Sequence, residues 1–290
     1  MPAEIKPGQL HGRISQEAPG AHARSLAWVG PGVALALCFA VLPVHAGRSC
    51  EANKAPQIES FQRGLALAER TMRALDASGE KVVLLARAGQ DLSKYGLFYS
   101  HFGFAYKQGD GQGGHVWRVL HKLNQCGSAD AAVYRQGLGE FFLDDLWRFE
   151  AAWVAPNAEA QERLLALLLD EARVVSLHQA AYSIVSYVWG LKYQQSNQWA
   201  IETLALAMEP GAQSRQKAQA WLQFKGYEPS TLKIGALTRL GGRLTAANVA
   251  FDDHPNEKRF SDRIETVTVD SVFAWMQKAQ LGKAPVRIGP

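Results

Sequence analysis

Cysteine is scarce in this chain: Cys38, Cys50 and Cys126 are the only three in 290 residues. That rules out a dense disulfide scaffold and leaves the fold to a hydrophobic core, which a chain of this length can build. Runs of basic residues with interleaved aromatics are also missing. With a net charge of only +4, nucleic acid is excluded as a partner. There is no Walker loop, dinucleotide fingerprint or internal repeat, so no cofactor is expected. Metal ligands are poorly placed as well. Asp252, Asp253 and His254 are adjacent, and neighbouring residues rarely point at one ion, so a solvated loop is expected there. His115 and His121 would sit roughly 20 Å apart along a strand, and no metal site is expected.

The amino-terminal portion reads as an export signal. A polar leading region ending at Arg24 precedes an apolar run over residues 26–44, followed by Val44, His45 and Ala46. This pattern predicts cleavage after Ala46 and a periplasmic or secreted product, with the membrane met only through the signal before cleavage. A retained anchor is the other reading, but Gly30, Pro31, Gly32 and Pro43 would make a poor membrane helix. Residues 47–290 then form a single domain with a helical carboxy-terminal extension. In an oxidising compartment Cys50 and Cys126 are expected to pair, which would add up to about 4 kcal/mol by loop closure. The competing reading makes Cys126 a thiol nucleophile, which a bond between the two sulfurs would exclude.

Patterning predicts an α+β domain in which helices pack on a small antiparallel sheet of about four to six strands. Ile58, Phe61, Leu65, Ala68, Met72 and Leu75 recur at helical spacing up to Gly79. Strands are expected at residues 81–87, 99–106, 115–121, 147–154 and 265–269. Residues 129–145 look helical but broken by Gly137 and Gly139. Further helices are expected after Asn157, from Ser196, over 214–226 and over 229–240, the last with Leu232, Leu237 and Leu240 on its apolar face, and a final one capped by Asp270 or Ser271.

The run YSHFGFAY at residues 99–106 is the most informative stretch. Strand alternation sends Phe102, Phe104 and Tyr106 to one face and His101, Gly103 and Ala105 to the other, so the histidine has a bare floor beside it. If the following glycine-rich turn is centred on Gly111, His101 and His121 become cross-strand neighbours. Satisfied core histidines are the ordinary explanation of such a pair. A general base with an orienting partner is the sharper one, and it requires a nucleophile elsewhere. Ser196 and Asn197 stand where a helix begins, and a helix amino terminus offers unpaired N–H groups that can hold an oxyanion. The same two residues are also common helix caps. Tyr187, Trp189, Tyr193 and Trp199 crowd the segment around them.

A histidine in a strand that starts SHxG, a second polar residue one strand later, and a nucleophile at a later helix start resemble the order in circularly permuted NlpC/P60 proteins. These are papain-like thiol hydrolases and acyltransferases. More closely, residues 99–106, 193–202 and 251–273 resemble an exported bacterial family known only as domain-of-unknown-function family 2145. The resemblance implies a papain-like, permuted NlpC/P60-like fold with His101 as base, His121 as its orienter and Ser196 in the position the family gives to cysteine. Helix-start N–H groups near Asn197 and Gln198 would stabilise the oxyanion. The implied activity is hydrolysis or acyl transfer on an amide or ester of the cell envelope, in peptidoglycan, a glycan or an acyl group. The alternative is an inactive binding protein whose groove is lined by Tyr187, Trp189, Tyr193 and Trp199.

Overall fold

The computed structural model describes residues 3–4, 57–144 and 146–289 of the chain. The predicted cleavage point, the apolar run and Cys50 lie outside the described residues. Among those described, no helix is long and apolar enough to cross a membrane.

The chain is α+β, built around one antiparallel sheet. Its strands are β1 (Ala3–Glu4), β2 (Val82–Ala88), β3 (His101–Gly109), β4 (His115–Asn124), β5 (Ala131–Gly137) and β6 (Arg148–Val154). Near the carboxy terminus follow β7 (Ser230–Lys233), β8 (Arg263–Thr266) and β9 (Val286–Ile288). The main sheet has the order β1-β5-β4-β3-β2-β6-β9, and β7 and β8 form a separate ribbon. Seven strands exceed the expected four to six, because the short edge strands β1 and β9 carry too little pattern to be read.

Both faces of the sheet are covered, so strand alternation sorts apolar residues into two cores. Leu84, Phe102, Phe104, Tyr106 and Leu120 face α3 (Ala158–Leu169), α5 (Ser196–Met208), α6 (Arg215–Phe224) and α9 (Val269–Lys278). Val83, Leu85, Ala105, Val119 and Trp153 face α1 (Ile58–Ser78) and α2 (Leu138–Phe142). The remaining helices are α4 (Glu171–Val174), α7 (Ala236–Thr245) and α8 (Asn256–Phe260). The central element is α5, buried along nearly its whole length. A helix apolar on all sides belongs inside, and here its polar amino terminus arrives at one end of the sheet.

Three expectations are corrected by this architecture. Residues 131–137 are a strand, because full pairing with β4 overrides the helix propensity of an alanine-rich run. Residues 230–233 are also a strand, and the helix starts only at Ala236. In α1 the buried side carries Leu67, Ala68, Thr71 and Leu75, whereas Ile58, Phe61, Leu65 and Met72 are exposed. The expected face is therefore rotated, with Gly64 allowing close approach to the Phe142 carbonyl.

Candidate functional site

The β3–β4 hairpin brings the two histidines together by a different register from the one expected. Ala105 lies opposite Val119 and Gly109 opposite His115, which centres the turn on Gln112 and slips the pairing by two residues. A two-residue slip preserves the face of every side chain, where a one-residue slip would reverse it. His121 consequently lies beside Gly103, whose missing side chain opens the gap: a Cβ there would come within 2.7 Å of His121 Cβ. Across that bare position His101 Nε2 and His121 Nδ1 are 2.8 Å apart.

The next strand extends the chain of contacts. Gln136 Oε1 on β5 lies 2.8 Å from His121 Nε2. A carboxamide oxygen only accepts, so His121 carries its proton on Nε2 and presents Nδ1 as an acceptor to His101 Nε2–H. The basic lone pair of a neutral His101 is then on Nδ1. His121 is fully buried, and burial, reinforced by the nearby Arg87 guanidinium, pushes its pKa down to about 3. It stays neutral at physiological pH and serves His101 as a hydrogen-bond acceptor. Arg87 in turn is held by the Phe141 carbonyl and by Asp144, and lies over the Phe141 ring.

This burial has a consequence for stability. In the unfolded chain His121 titrates near 6.5, so between about pH 6.5 and 3 the unfolded state binds more protons than the folded one. Stability must fall as pH falls through that window, by about 2 kcal/mol from this residue between pH 7 and 5. His178, lowered to about 4 chiefly by burial and then by Lys122, acts with the same sign. Urea melts of wild type and His121→Gln at pH 7 and pH 5 check this: the variant is expected to show the smaller loss on acidification, and equal losses would contradict it.

The start of α5 is fixed by a run of carboxamides. Gln195 is the cap, its Oε1 accepting from Asn197 N–H, while its Nε2 donates to Val267 O. Asn197 Oδ1 accepts from Phe102 N–H at 3.1 Å, at the end of β3 where pairing with β4 has not yet begun. Gln198 accepts from the Ser186 hydroxyl and donates to the carbonyls of Tyr187 and Val188. Gln194 accepts from buried Lys122 Nζ and donates to Glu202. Burial depresses the Lys122 pKa strongly. Within residues 194–198 only Ser196 makes no side-chain hydrogen bond to the described residues.

Ser196 is thus not a cap; it occupies the first helical turn with its hydroxyl uncommitted, and it lines the same cleft as His101, a cavity of about 490 Å³. Arg87, Asn197 and the ribbon residues Leu232 and Thr266 also line it. Of the expected oxyanion donors, Asn197 N–H is already taken by Gln195. The N–H groups of Ser196 and Gln198 have no partner among the described residues. A hydroxyl, an imidazole with a fixed tautomer and open helix-start N–H groups are the parts that acyl transfer through a covalent intermediate needs.

The family described as "Uncharacterized protein conserved in bacteria (DUF2145)" matches residues 74–276. The chain belongs to that family. No curated protein and no solved structure matches it. The DUF2145 span contains His101, His121, Gln136 and Ser196, and the whole cleft wall.

Other expected site residues of this DUF2145 chain fall elsewhere. None of Tyr187, Trp189, Tyr193 and Trp199 lines the cleft. Trp199 is wholly buried against Phe104, Trp189 packs on Tyr227 and Tyr187 on His254. The cleft aromatics are instead Tyr95, Tyr99 and Tyr182. Cys126 sits in the β4–β5 loop on the cleft wall, and its expected partner Cys50 lies outside the described residues. Of residues 252–254, Asp252 is exposed as expected of a solvated loop, but Asp253 and His254 are not. Asp253 Oδ2 accepts from Tyr187 N–H at 2.7 Å, His254 Nε2 reaches Glu265 O, and both side chains are buried. They tie the segment before α5 to the β7–β8 ribbon. Among the described residues no cluster of three or more metal-ligating side chains occurs.

Proposed function

We propose that this DUF2145 chain is an exported acyl hydrolase or acyltransferase of the bacterial envelope, with a papain-like arrangement in which serine replaces the thiol. The observation that carries the reading is selective: four carboxamide side chains around Ser196 are consumed in fixing the helix start, and Ser196 between them, its hydroxyl unbonded among the described residues, lines the cleft that His101 also lines. His101 Nδ1 takes the Ser196 proton as Oγ attacks the acyl carbonyl of an ester or amide. The N–H group of Ser196, which lies on the cleft wall where Gln198 does not, receives the oxyanion, and the proton passes from His101 to the departing alcohol or amine. Water or a second alcohol then resolves the acyl-enzyme. His121 and Gln136 hold the imidazole throughout.

The cleft wall supports a substrate with an apolar portion. Leu92, Leu97, Leu123, Ile184, Val185 and Leu232 contribute to it, and an acyl chain fits such a surface better than a bare peptide. A binding protein with the expected aromatic groove has less support, because none of the four aromatics that would form that groove lines the cleft. Export and the Cys50–Cys126 disulfide are part of this proposal. The test is a panel of short- and long-chain p-nitrophenyl esters and peptidoglycan fragments offered to wild type and Ser196→Ala. Turnover by wild type alone, rising with acyl length, is expected. Equal residual rates in both proteins would refute a serine nucleophile.

A further inference from the structure

The helix α7 is mounted with its apolar side outward. Leu237, Leu240 and Leu244 recur at three- and four-residue spacing on one face, and Leu237 is 85% exposed. The inward position is occupied by Arg239, buried and bonded to the Ile234 carbonyl and Asp262 Oδ1. An ordinary surface helix has the reverse arrangement, leucines in and arginine out. Asp262 lies two residues past the end of α8, so the same contact ties α7 to the helix that ends in Phe260, 71% exposed.

Cations flank this apolar stripe, while of the nearby acids Asp262 is paired with Arg239 and Glu257 lies exposed on α8. Lys233 and Arg263 lie directly opposite each other on β7 and β8, a juxtaposition of like charges that costs stability. Lys233 forms no ion pair among the described residues, and Arg263 reaches Glu265 only at 3.8 Å. Arg243 is exposed at the far end of α7, again without an ion pair among the described residues. Exposed leucines with cations at both ends of a short helix fit an interface that is apolar within and anionic at its rim, as the headgroup boundary of an anionic phospholipid layer is.

We infer that α7, with Phe260, Lys233, Arg243 and Arg263, docks the protein on an anionic phospholipid surface. The β7–β8 ribbon, whose strands stand on either side of α7 in the chain, also supplies Leu232 and Thr266 to the cleft wall, so docking at this edge brings the cleft near the lipid. The inference stands on α7 and its charges and does not need Ser196 to be a nucleophile.

The experiment is co-sedimentation of the purified full chain with vesicles of phosphatidylglycerol and, separately, of phosphatidylcholine, for wild type, the triple variant Leu237→Ser/Leu240→Ser/Leu244→Ser, and Lys233→Glu/Arg263→Glu. Wild type is expected to prefer phosphatidylglycerol and to lose that preference at high salt. The triple serine variant should bind on the order of a hundredfold more weakly, with an unchanged melting midpoint because the replaced side chains are exposed. All variants are identical outside the substituted positions, so the difference between them reports on α7 and its flanking cations. Equal binding by wild type and triple variant, no preference for the anionic lipid, or a concentration-dependent dimer that the serine variant abolishes would overturn the inference. Ser196→Ala should bind vesicles like wild type; vesicle binding without turnover in any assay would remove the acyl-transfer reading and leave the docking intact.

Discussion

His101→Ala is expected to reduce kcat/KM on an ester substrate by about a thousandfold, the usual contribution of a positioned general base. Serine depends on its base more than cysteine does, since a hydroxyl has no appreciable ionised fraction at neutral pH and must be deprotonated as it attacks. His121→Phe should fall between wild type and His101→Ala, because it keeps the bulk against Phe141 but removes the acceptor that fixes the His101 tautomer. A readout other than rate separates orientation from folding. In His121→Phe the pH dependence of kcat/KM should shift, since the proton on His101 Nε2 loses its partner, while the melting curve at pH 7 stays cooperative. If His101→Ala retained more than a tenth of wild-type activity, His101 would not be the base.

Glu202→Ala should lower the unfolding free energy by about 3–5 kcal/mol, as loss of one member of a buried ion pair does. Glu202 is wholly buried inside α5 and accepts from Arg215 Nε at 2.8 Å, Gln194 Nε2 at 2.5 Å and Gln219 Nε2 at 2.7 Å. Arg215 also donates to the carbonyls of Gly190, Leu191 and Tyr193, and Lys122 joins the network through Gln194. Without Glu202 the Arg215 guanidinium loses its counter-charge, and the loop that leads into Ser196 loses its clamp. Urea denaturation measures the cost. A loss below about 1 kcal/mol would mean that the network is not what holds the start of α5.

How much of this could be read from the chain alone differs between elements. The faces of β3 were legible because aromatics alternate with a histidine, a glycine and an alanine, and only a strand sorts them so. The register was not. Its centre is set by Asp110, whose Oδ1 accepts from Gln112 N–H and Gly114 N–H, and one aspartate among four glycines gave no unique turn. Gln136 was hidden by the alanines of β5, which look helical until a neighbouring strand pairs with them. Arg87 and Asp144 meet across 57 residues, and nothing local announces that contact. Ser196 was visible as a helix start, but its distinction from an ordinary cap depends on where four carboxamides go. For the same reason the outward mounting of α7 was not legible: leucine spacing reports a helix and one apolar side, not which way that side faces.

The central claim is that the Ser196 hydroxyl and the His101 imidazole act as nucleophile and base in one cleft. Treating wild type, Ser196→Ala and His101→Ala with a fluorophosphonate, followed by peptide mass mapping, tests it most directly. A single adduct on Ser196 in wild type, absent from Ser196→Ala and at least a hundredfold slower in His101→Ala, is the predicted result. An unmodified Ser196, or labelling at the same rate with and without His101, would contradict it.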